Sequence, residues 1–362
     1  MKGLLHYIMG CVITVMLTGC VMDDVEPDVK MVNVSISVSL ADAVTSRAYK
    51  DAETDAEKMN TLRIVIVRGA EDGVVEHNRF IDLTTTPVIL HGIETFQVVA
   101  NEEKYIYFFV NEETTAFQGE AFDFDIEQGQ NFPFETLKAK KIDLVVNNNT
   151  VQQMRTPLPM NSMYSLEVGE QDMVRTFWVT RAATKFTYII DNSKNTGEFK
   201  LTRLIIKNQA MTEHYMQHDV NGEIPVWNSE TNDILQDIKS FHAPHQGTTT
   251  NHHDYVQDFT DGIVIAAGQE VKLDPIYLAE TKYFNDEVYG TEDKYYETAL
   301  SFGALTSFTG QLKELPYQLP RNTHVVVTVK IKNGEVTWEV DVFPYTGVNL
   351  NPDFGLNKKT NE

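Results

Sequence analysis

From residue 31 onward, hydrophobic and polar residues alternate along much of the chain. In Val32–Leu40, a valine, isoleucine or leucine occupies every second position and Asn33 or a serine lies between them. Successive side chains of a β-strand point to opposite faces of the sheet. The pattern therefore predicts a strand over residues 31–40 that buries one face and exposes the other to water.

Four further segments are short runs of apolar and aromatic residues, which are typical of central strands. These segments are Leu62–Val67, Tyr105–Val110, Phe186–Ile190 and Leu204–Lys207. Helical patterns are few, the best being residues 232–241 and 135–144. Because these helices do not alternate with the strands, no parallel β/α sheet is expected.

The clearest local prediction is a hairpin near the C-terminus. Alternating apolar residues fill 325–331 and 336–342 on either side of Asn333-Gly334. An Asn-Gly pair adopts the positive φ angles of a type I′ turn between antiparallel strands. The apolar side chains of the second strand are Val336, Trp338, Val340 and Val342.

A loop-like stretch with two prolines, residues 157–174, suggests a boundary between two domains. We predict an all-β fold with two tandem β-sandwiches of transthyretin-like or Greek-key type and a few short helices in the connections. The first sandwich would span residues 31–175 and the second residues 180–362.

The N-terminus resembles a lipoprotein signal. Residues 4–17 are apolar, too short to span a membrane and of the length of a signal-peptide core. The sequence Leu17-Thr18-Gly19-Cys20 resembles the bacterial lipobox, whose cysteine carries lipid after cleavage. We predict a signal peptide over 1–19 and a tether over 20–30, with acyl (palmitate-type) chains on Cys20 attaching the chain to a membrane. The alternative is an ordinary signal peptide with a chance cysteine.

Cysteine content and charge narrow the function classes. The only cysteines are Cys11 and Cys20, so the predicted mature body has none for disulfides, thiolate metal sites or nucleophilic catalysis. The formal net charge is −22, which repels phosphates and anionic headgroups. We expect no nucleic-acid partner.

Histidines concentrate in one segment, at His242, His245, His252 and His253, followed by Asp254. These donor types bind zinc. The pattern predicts no strand or helix to orient them, so solvated loop histidines are the favoured interpretation and zinc the weaker one.

A second acidic group, Asp123, Asp125 and Glu127, resembles a calcium loop. An EF-hand requires glycine at its sixth position, where this chain has Gln128. Apolar residues alternate with the acidic ones, so we interpret the acidic group as the exposed face of a strand.

Motifs of nucleophilic, nucleotide-binding and zinc-protease sites are absent from the sequence. Two distant carboxylates of a glycosidase leave no local signature, so an all-β hydrolase stays a remote third hypothesis. We predict no enzymatic activity and no cofactor.

Four features in order resemble the fimbrillin family, the pilins of type V pili in Bacteroidales. They are the lipobox at Cys20, the first strand followed by "SRAY" and "LRIVIV", the central "LPMNS" followed by "VTRAATKFTYII", and the terminal "LPRNTHVVVTVKIKNGEVTWEVDVFPY" followed by "NPDFGL".

The resemblance implies a non-enzymatic subunit of a fimbrium, exported as a lipoprotein to the outer membrane and acting in cell adhesion. A trypsin-like maturation protease would cut between Arg47 and Ala48, and removal of the first strand would open a groove. A terminal segment of a neighbouring pilin subunit, residues 336–356, would fill that groove as a donor strand. Arg181 also precedes alanine, but it lies in a predicted strand and is a poorer protease target.

The role within such an assembly stays open between stem, tip and anchor, with the stem favoured by Arg47 and the long tail. The rival hypothesis from a different class is a monomeric surface lipoprotein or tip adhesin that binds a glycan or host protein through its loops.

Overall fold

The computed structural model describes residues 29–40, 54–84, 94–146, 150–218, 223–228, 252–282, 296–303, 306–312, 318–332 and 335–344. Several predictions concern residues outside these ranges. They are the signal peptide and Cys20, the Arg47–Ala48 bond, the helix at 232–241, His242, His245, the Asn333-Gly334 turn and the tail after 344.

The regular secondary structure of the described residues is almost entirely β-strand, which confirms the all-β prediction. The strands of the first half, residues 29–181, are β1 Met31–Leu40, β2 Thr61–Arg68, β3 Val74–Asp82, β4 Glu94–Val99, β5 Glu102–Val110, β6 Lys141–Asp143, β7 Val145–Val146, β8 Thr150–Val151, β9 Met160–Val168 and β10 Met173–Arg181. The helix α1 spans Phe134–Lys138 and overlaps only the first part of the helix predicted over residues 135–144. Two 3₁₀ turns lie at Asp55–Glu57 and Glu112–Thr114.

The second half, residues 184–344, continues the same architecture. Its strands are β11 Thr184–Asp191, β12 Phe199–Ala210, β13 Thr212–His214, β14 Trp227–Asn228, β15 His252–Ile265, β16 Glu270–Lys272, β17 Ile276–Leu278, β18 Thr281–Lys282, β19 Tyr296–Phe302, β20 Thr306–Leu312, β21 Gln318–Leu319, β22 Thr323–Lys332 and β23 Glu335–Pro344. Within the described segments no helix is long and apolar enough to cross a membrane.

Three large sheets organise these strands. The first has the order β3-β2-β5-β9-β10-β1-β4, with β14 beside β9. The second has the order β16-β11-β22-β23, with β17 also beside β11, and the third has the order β20-β19-β12-β15-β8-β7. Strands β7 and β8 belong to the first half of the chain but join the third sheet, which is otherwise built from the second half. Strand β14 belongs to the second half but pairs with β9 of the first sheet. The chain changes from the first sheet to the second between β10 and β11.

The four apolar runs all form strands, and their side chains form the core. Residues 62–67 of β2 are buried throughout, as are residues 106–110 of β5. The terminal hairpin is also confirmed, because β22 and β23 pair antiparallel from Thr323↔Pro344 to Lys332↔Glu335.

Three local predictions are wrong. The loop expected at 157–174 contains β9, which pairs along its whole length with β5. The segment around Asp123 and Asp125 alternates in burial but forms no strand, and Asp125 instead contacts Arg63. His252 and His253 begin β15 and do not lie in a loop. The division into sandwiches at 31–175 and 180–362 stays a prediction.

Candidate functional site

Strand β1 is inserted between two strands of the first sheet. It runs parallel to β10, from Val34↔Met173 to Leu40↔Val179, and antiparallel to β4, from Met31↔Val99 to Ile36↔Glu94. The predicted removable strand is therefore an internal strand of its sheet and not an edge strand. It occupies a slot bordered by strands on both sides.

The inner face of β1 is part of the core. Val32, Val34 and Ile36 are buried, and Val38 packs against the same cluster. Full burial of such side chains contributes about 1.5–3 kcal/mol each. Any segment that replaces β1 must therefore supply apolar side chains at every second position.

The outer face of β1 makes polar contacts at the surface. Asp172 accepts hydrogen bonds from the backbone N–H and the side-chain amide of Asn33, at 2.8 and 3.0 Å. The side-chain hydrogen bond, followed by the backbone one, lowers the pKa of Asp172. The hydroxyls of Ser35 and Thr95 lie 3.0 Å apart. Because these groups are exposed, water can replace their contacts at small cost.

The two neighbours of β1 have few other backbone partners. Among the described residues, β10 pairs with β9 only at Thr180 and Arg181, and β4 pairs only with β1. Side chains of β3 supplement the attachment of β4: His77 Nε2 lies 2.8 Å from the Gln97 carbonyl, and Glu76 accepts the Val99 N–H at 2.7 Å. Strand β1 is thus the main connection between β4 and the rest of its sheet.

Residues 54–57 are held in place by a network of buried polar contacts around Glu57. Glu57 Oε1 lies 2.7 Å from Lys185 Nζ and accepts a hydrogen bond from the Tyr277 hydroxyl at 3.1 Å. Glu57 Oε2 accepts the Thr54 N–H at 3.1 Å. Residues 54–57 are therefore anchored to the second half through contacts that do not involve β1.

The predicted donor residues lie in β23, the outermost strand of the second sheet. Val336, Trp338 and Val340 are half-buried and pack against the core, whereas Val342 is 37% exposed. The indole of Trp338 lies over Gly310 of β20 and leaves no room for a Cβ atom there. Residues 335–344 are thus already paired within their own chain.

The other candidate site residues predicted from the sequence do not form a common site among the described residues. Arg181, the alternative cleavage site, is buried at the end of β10 with 1% exposure. His253 is half-buried on β15, and the described residues contain no group of three or more His, Cys, Asp or Glu side chains positioned for a metal ion.

Sequence reasoning missed the buried charged residues. Arg321 contacts the carboxylates of Glu213 and Glu280 at 2.9 and 3.1 Å, and all three side chains are fully buried. Burial raises the pKa of Glu213 well above its usual value, and the nearby Glu280 carboxylate raises it further. Nothing in the local sequence pattern distinguishes these residues from exposed ones.

Comparison with solved structures identifies the fold. The chain is similar to a candidate cell adhesion protein from Parabacteroides distasonis, with a TM-score of 0.52, 12% identity, and coverage of 87% of this chain and 98% of that one. A tip fimbrial protein from Porphyromonas gingivalis, truncated at its C-terminus, matches with a TM-score of 0.46, 11% identity, and coverage of 87% and 99%. A fimbrial assembly protein from Parabacteroides distasonis matches with a TM-score of 0.44, 11% identity, and coverage of 86% and 98%.

No protein-family model and no curated protein matches the sequence. Of these three matches only the first has a TM-score above 0.5, and at 12% identity it establishes a shared fold and nothing further. The chain therefore shares the fold of the candidate cell adhesion protein from Parabacteroides distasonis. This agrees with the resemblance to fimbrillins found in the sequence.

Proposed function

We propose that this chain is a structural subunit of a type V pilus that polymerises by exchange of its first strand. The observation that carries the proposal is the position of β1 between two other strands, with one face buried in the core and the other exposed to solvent. A slot of this kind, once emptied, presents unpaired backbone groups and an apolar trough that an extended segment can fill.

In this proposal the precursor is exported as a lipoprotein through Cys20 and reaches the outer surface of the outer membrane. A trypsin-like protease cuts after Arg47, and residues 48–53 then form a short N-terminal extension. The network at Thr54–Glu57 supports this step, because its contacts to Lys185 and Tyr277 do not involve β1.

The donor is the part of the predicted segment that follows β23. Val348, Leu350, Pro352, Phe354 and Leu356 occupy every second position, with Asn349, Asn351, Asp353 and Gly355 between them. This is the same spacing as the five apolar residues of Val32–Leu40. Since β23 is held by ten residue pairs with β22, we assign the donor role to residues 348–356 and a supporting role to Val336, Trp338, Val340 and Val342.

Brief treatment of the purified precursor with trypsin tests the proposal. We expect a product that begins at Ala48. We also expect SDS-resistant ladders, because a donor strand from a neighbouring subunit then occupies the slot that β1 has left. An Arg47→Ala variant should give no product that begins at Ala48, and a variant that also carries Lys50→Ala should stay uncut and monomeric. Deletion of residues 345–362 should permit the cut but abolish the ladders. Cut wild-type protein that stays monomeric would contradict the proposal and favour a monomeric adhesin.

A further inference from the structure

Two oppositely charged side chains are buried against each other in the first half. Lys104 of β5 and Glu76 of β3 lie on either side of β2, and their side chains are 1% and 7% exposed. Lys104 Nζ lies 2.7 Å from Glu76 Oε2. No step of the proposed strand exchange uses this pair.

A β-bulge directs Glu76 inward. Along the β2–β3 ladder His77 pairs with Ile66 and Val75 pairs with Val67, so Glu76 is an extra residue without a partner on β2. Val75 and Glu76 are consequently both buried, although neighbouring strand residues normally face opposite sides. Bulges commonly re-aim a side chain in this way.

The contact has the length of a hydrogen bond without its alignment. Among the described residues, neither Glu76 Oε2 nor Lys104 Nζ has a partner at acceptable hydrogen-bond angles. A buried ion pair is stable only when good hydrogen bonds offset the loss of hydration. The amine is therefore held against the carboxyl group in a geometry that an ion pair alone does not favour.

The surrounding groups fix the carboxyl group and reach the amine. Glu76 Oε1 accepts the Val99 N–H at 2.7 Å, which orients the carboxyl plane. Glu102 Oε1 lies 3.3 Å from Lys104 Nζ, and Glu102 is partly exposed. Burial raises the pKa of Glu102, but the Arg68 hydrogen bond and the Lys104 charge outweigh it and lower the pKa overall. Glu102 is thus held as a carboxylate beside the amine, and its position, not its basicity, makes it the candidate proton relay.

We propose that Lys104 and Glu76 condense to an amide, an isopeptide cross-link between β5 and β3. Glu102 accepts a proton from the ammonium group, and the neutral Nζ attacks Cδ of Glu76. The C–N bond forms and one C–O bond of the carboxyl group breaks. The two protons lost by the nitrogen leave with that oxygen as one molecule of water, with Glu102 carrying them between the atoms.

Two physical effects favour this condensation. The fold holds the reacting groups together, and such positioning raises effective concentrations by orders of magnitude. The product also replaces two buried charges with a neutral amide, whose oxygen still accepts the Val99 N–H. The cross-link would connect β3 to β5 across β2 and, through Val99, support β4. This inference does not rest on the proposed function.

Peptide mass spectrometry tests the cross-link. The full-length chain is first allowed to fold, and it is then denatured and digested with trypsin. Without the cross-link, trypsin gives separate peptides 69–79, 80–104 and 105–138, because cleavage sites follow Arg68, Arg79, Lys104 and Lys138. With it, cleavage after Lys104 is blocked. We then expect peptide 69–79 joined to peptide 80–138, with a mass one water below their sum.

A Lys104→Arg variant is the matched control, because it keeps the positive charge and cannot form the amide. Its digest should lack the branched species. A Glu102→Gln variant keeps both reacting groups, and we expect a smaller cross-linked fraction in freshly folded protein than in wild type. If wild type yields the three separate peptides and no branched species, the proposal is wrong. An unchanged fraction in Glu102→Gln would overturn the relay role of Glu102.

Discussion

Strands β1 and β11 begin the two halves of the molecule and have the same kind of neighbours. Strand β1 is parallel to β10 and antiparallel to β4. Strand β11 is parallel to β22 and antiparallel to β16 and β17. Backbone pairing alone therefore does not explain why one strand would be exchangeable and the other permanent.

The two strands differ in what covers their faces. Residues 184–190 of β11 are all buried, so both of its faces are covered. Among residues 31–39 of β1 only Val32, Val34 and Ile36 are buried, and the residues between them are partly or fully exposed. A segment with one apolar face can be replaced by any strand of the same spacing, whereas β11 is specified on both sides.

The charged contacts differ in the same way. Lys185 of β11 pairs with Glu57 at 2.7 Å, with both side chains 3% exposed. Lys30, just before β1, pairs with Glu170 at 2.8 Å, with exposures of 51% and 62%. Buried pairs are costly to break, whereas exposed pairs contribute little. In the proposed exchange, the environment of a strand, more than its backbone pairing, determines whether the strand can leave its sheet.

The largest expected effect comes from breaking the buried pair beside β11. Lys185→Met leaves Glu57 charged and buried, which should lower the free energy of unfolding by about 3–5 kcal/mol. Urea denaturation of the uncut protein measures the change. Adding Glu57→Gln should restore part of the loss, because the uncompensated charge is then removed. A loss below about 1 kcal/mol would show that β11 is not held as the comparison requires.

A smaller effect is expected from acid, through His324 on β22. His324 Nε2 lies 2.9 Å from the Thr187 hydroxyl of β11. Burial, followed by the positive charge of Lys185, lowers the pKa of His324 to about 3, while Glu57 acts in the opposite direction. The native state thus holds His324 neutral at pH values where the unfolded chain protonates it.

The stability contributed by neutral His324 is complete above the unfolded pKa of about 6.5 and is lost as the pH falls toward about 3. The loss approaches about 1.4 kcal/mol per pH unit. Urea midpoints between about pH 6.5 and 4.5 should therefore fall less in His324→Gln than in wild type. Burial also lowers the pKa of His218, which contributes to the pH dependence that remains in the variant. Equal slopes in the two proteins would contradict the assignment.

The smallest effect is expected at β1. Lys30→Met removes the exposed pair with Glu170 and should change the free energy of unfolding by less than about 1 kcal/mol. The same urea experiment makes this the matched control for Lys185→Met. A loss as large as that of Lys185→Met would remove the distinction between the two strands.

Much of the strand content was predictable, because alternation and apolar runs are local signals. Val32–Leu40, Leu62–Val67 and the terminal hairpin follow directly from them. Strand β9 was missed because its pattern around Pro159 and Asn161 is irregular, and its stability comes from pairing with β5 far away in sequence. Pairing with a strand that is distant in the sequence leaves little trace in the pattern of a short segment.

The site was predictable only in part. The one-faced character of β1 is visible in the sequence, but its position between β4 and β10 depends on strands more than 50 residues away. The buried partner of Lys185 and one buried partner of Arg321 lie more than 100 residues away, and Glu76, the partner of Lys104, lies on another strand. A charged residue in a strand pattern is ordinarily read as exposed, so these contacts required the structure.

The most direct test of the account is to lock β1 in its slot. The side-chain oxygens of Ser35 and Thr95 are 3.0 Å apart on the exposed face, so a Ser35→Cys and Thr95→Cys pair is placed for a reducible disulfide between β1 and β4. We predict that the oxidised protein is cut after Arg47 but stays monomeric, and that a reductant then releases β1 and allows SDS-resistant polymers to form. Polymer formation by the oxidised, fully cross-linked protein would contradict the claim that β1 must leave.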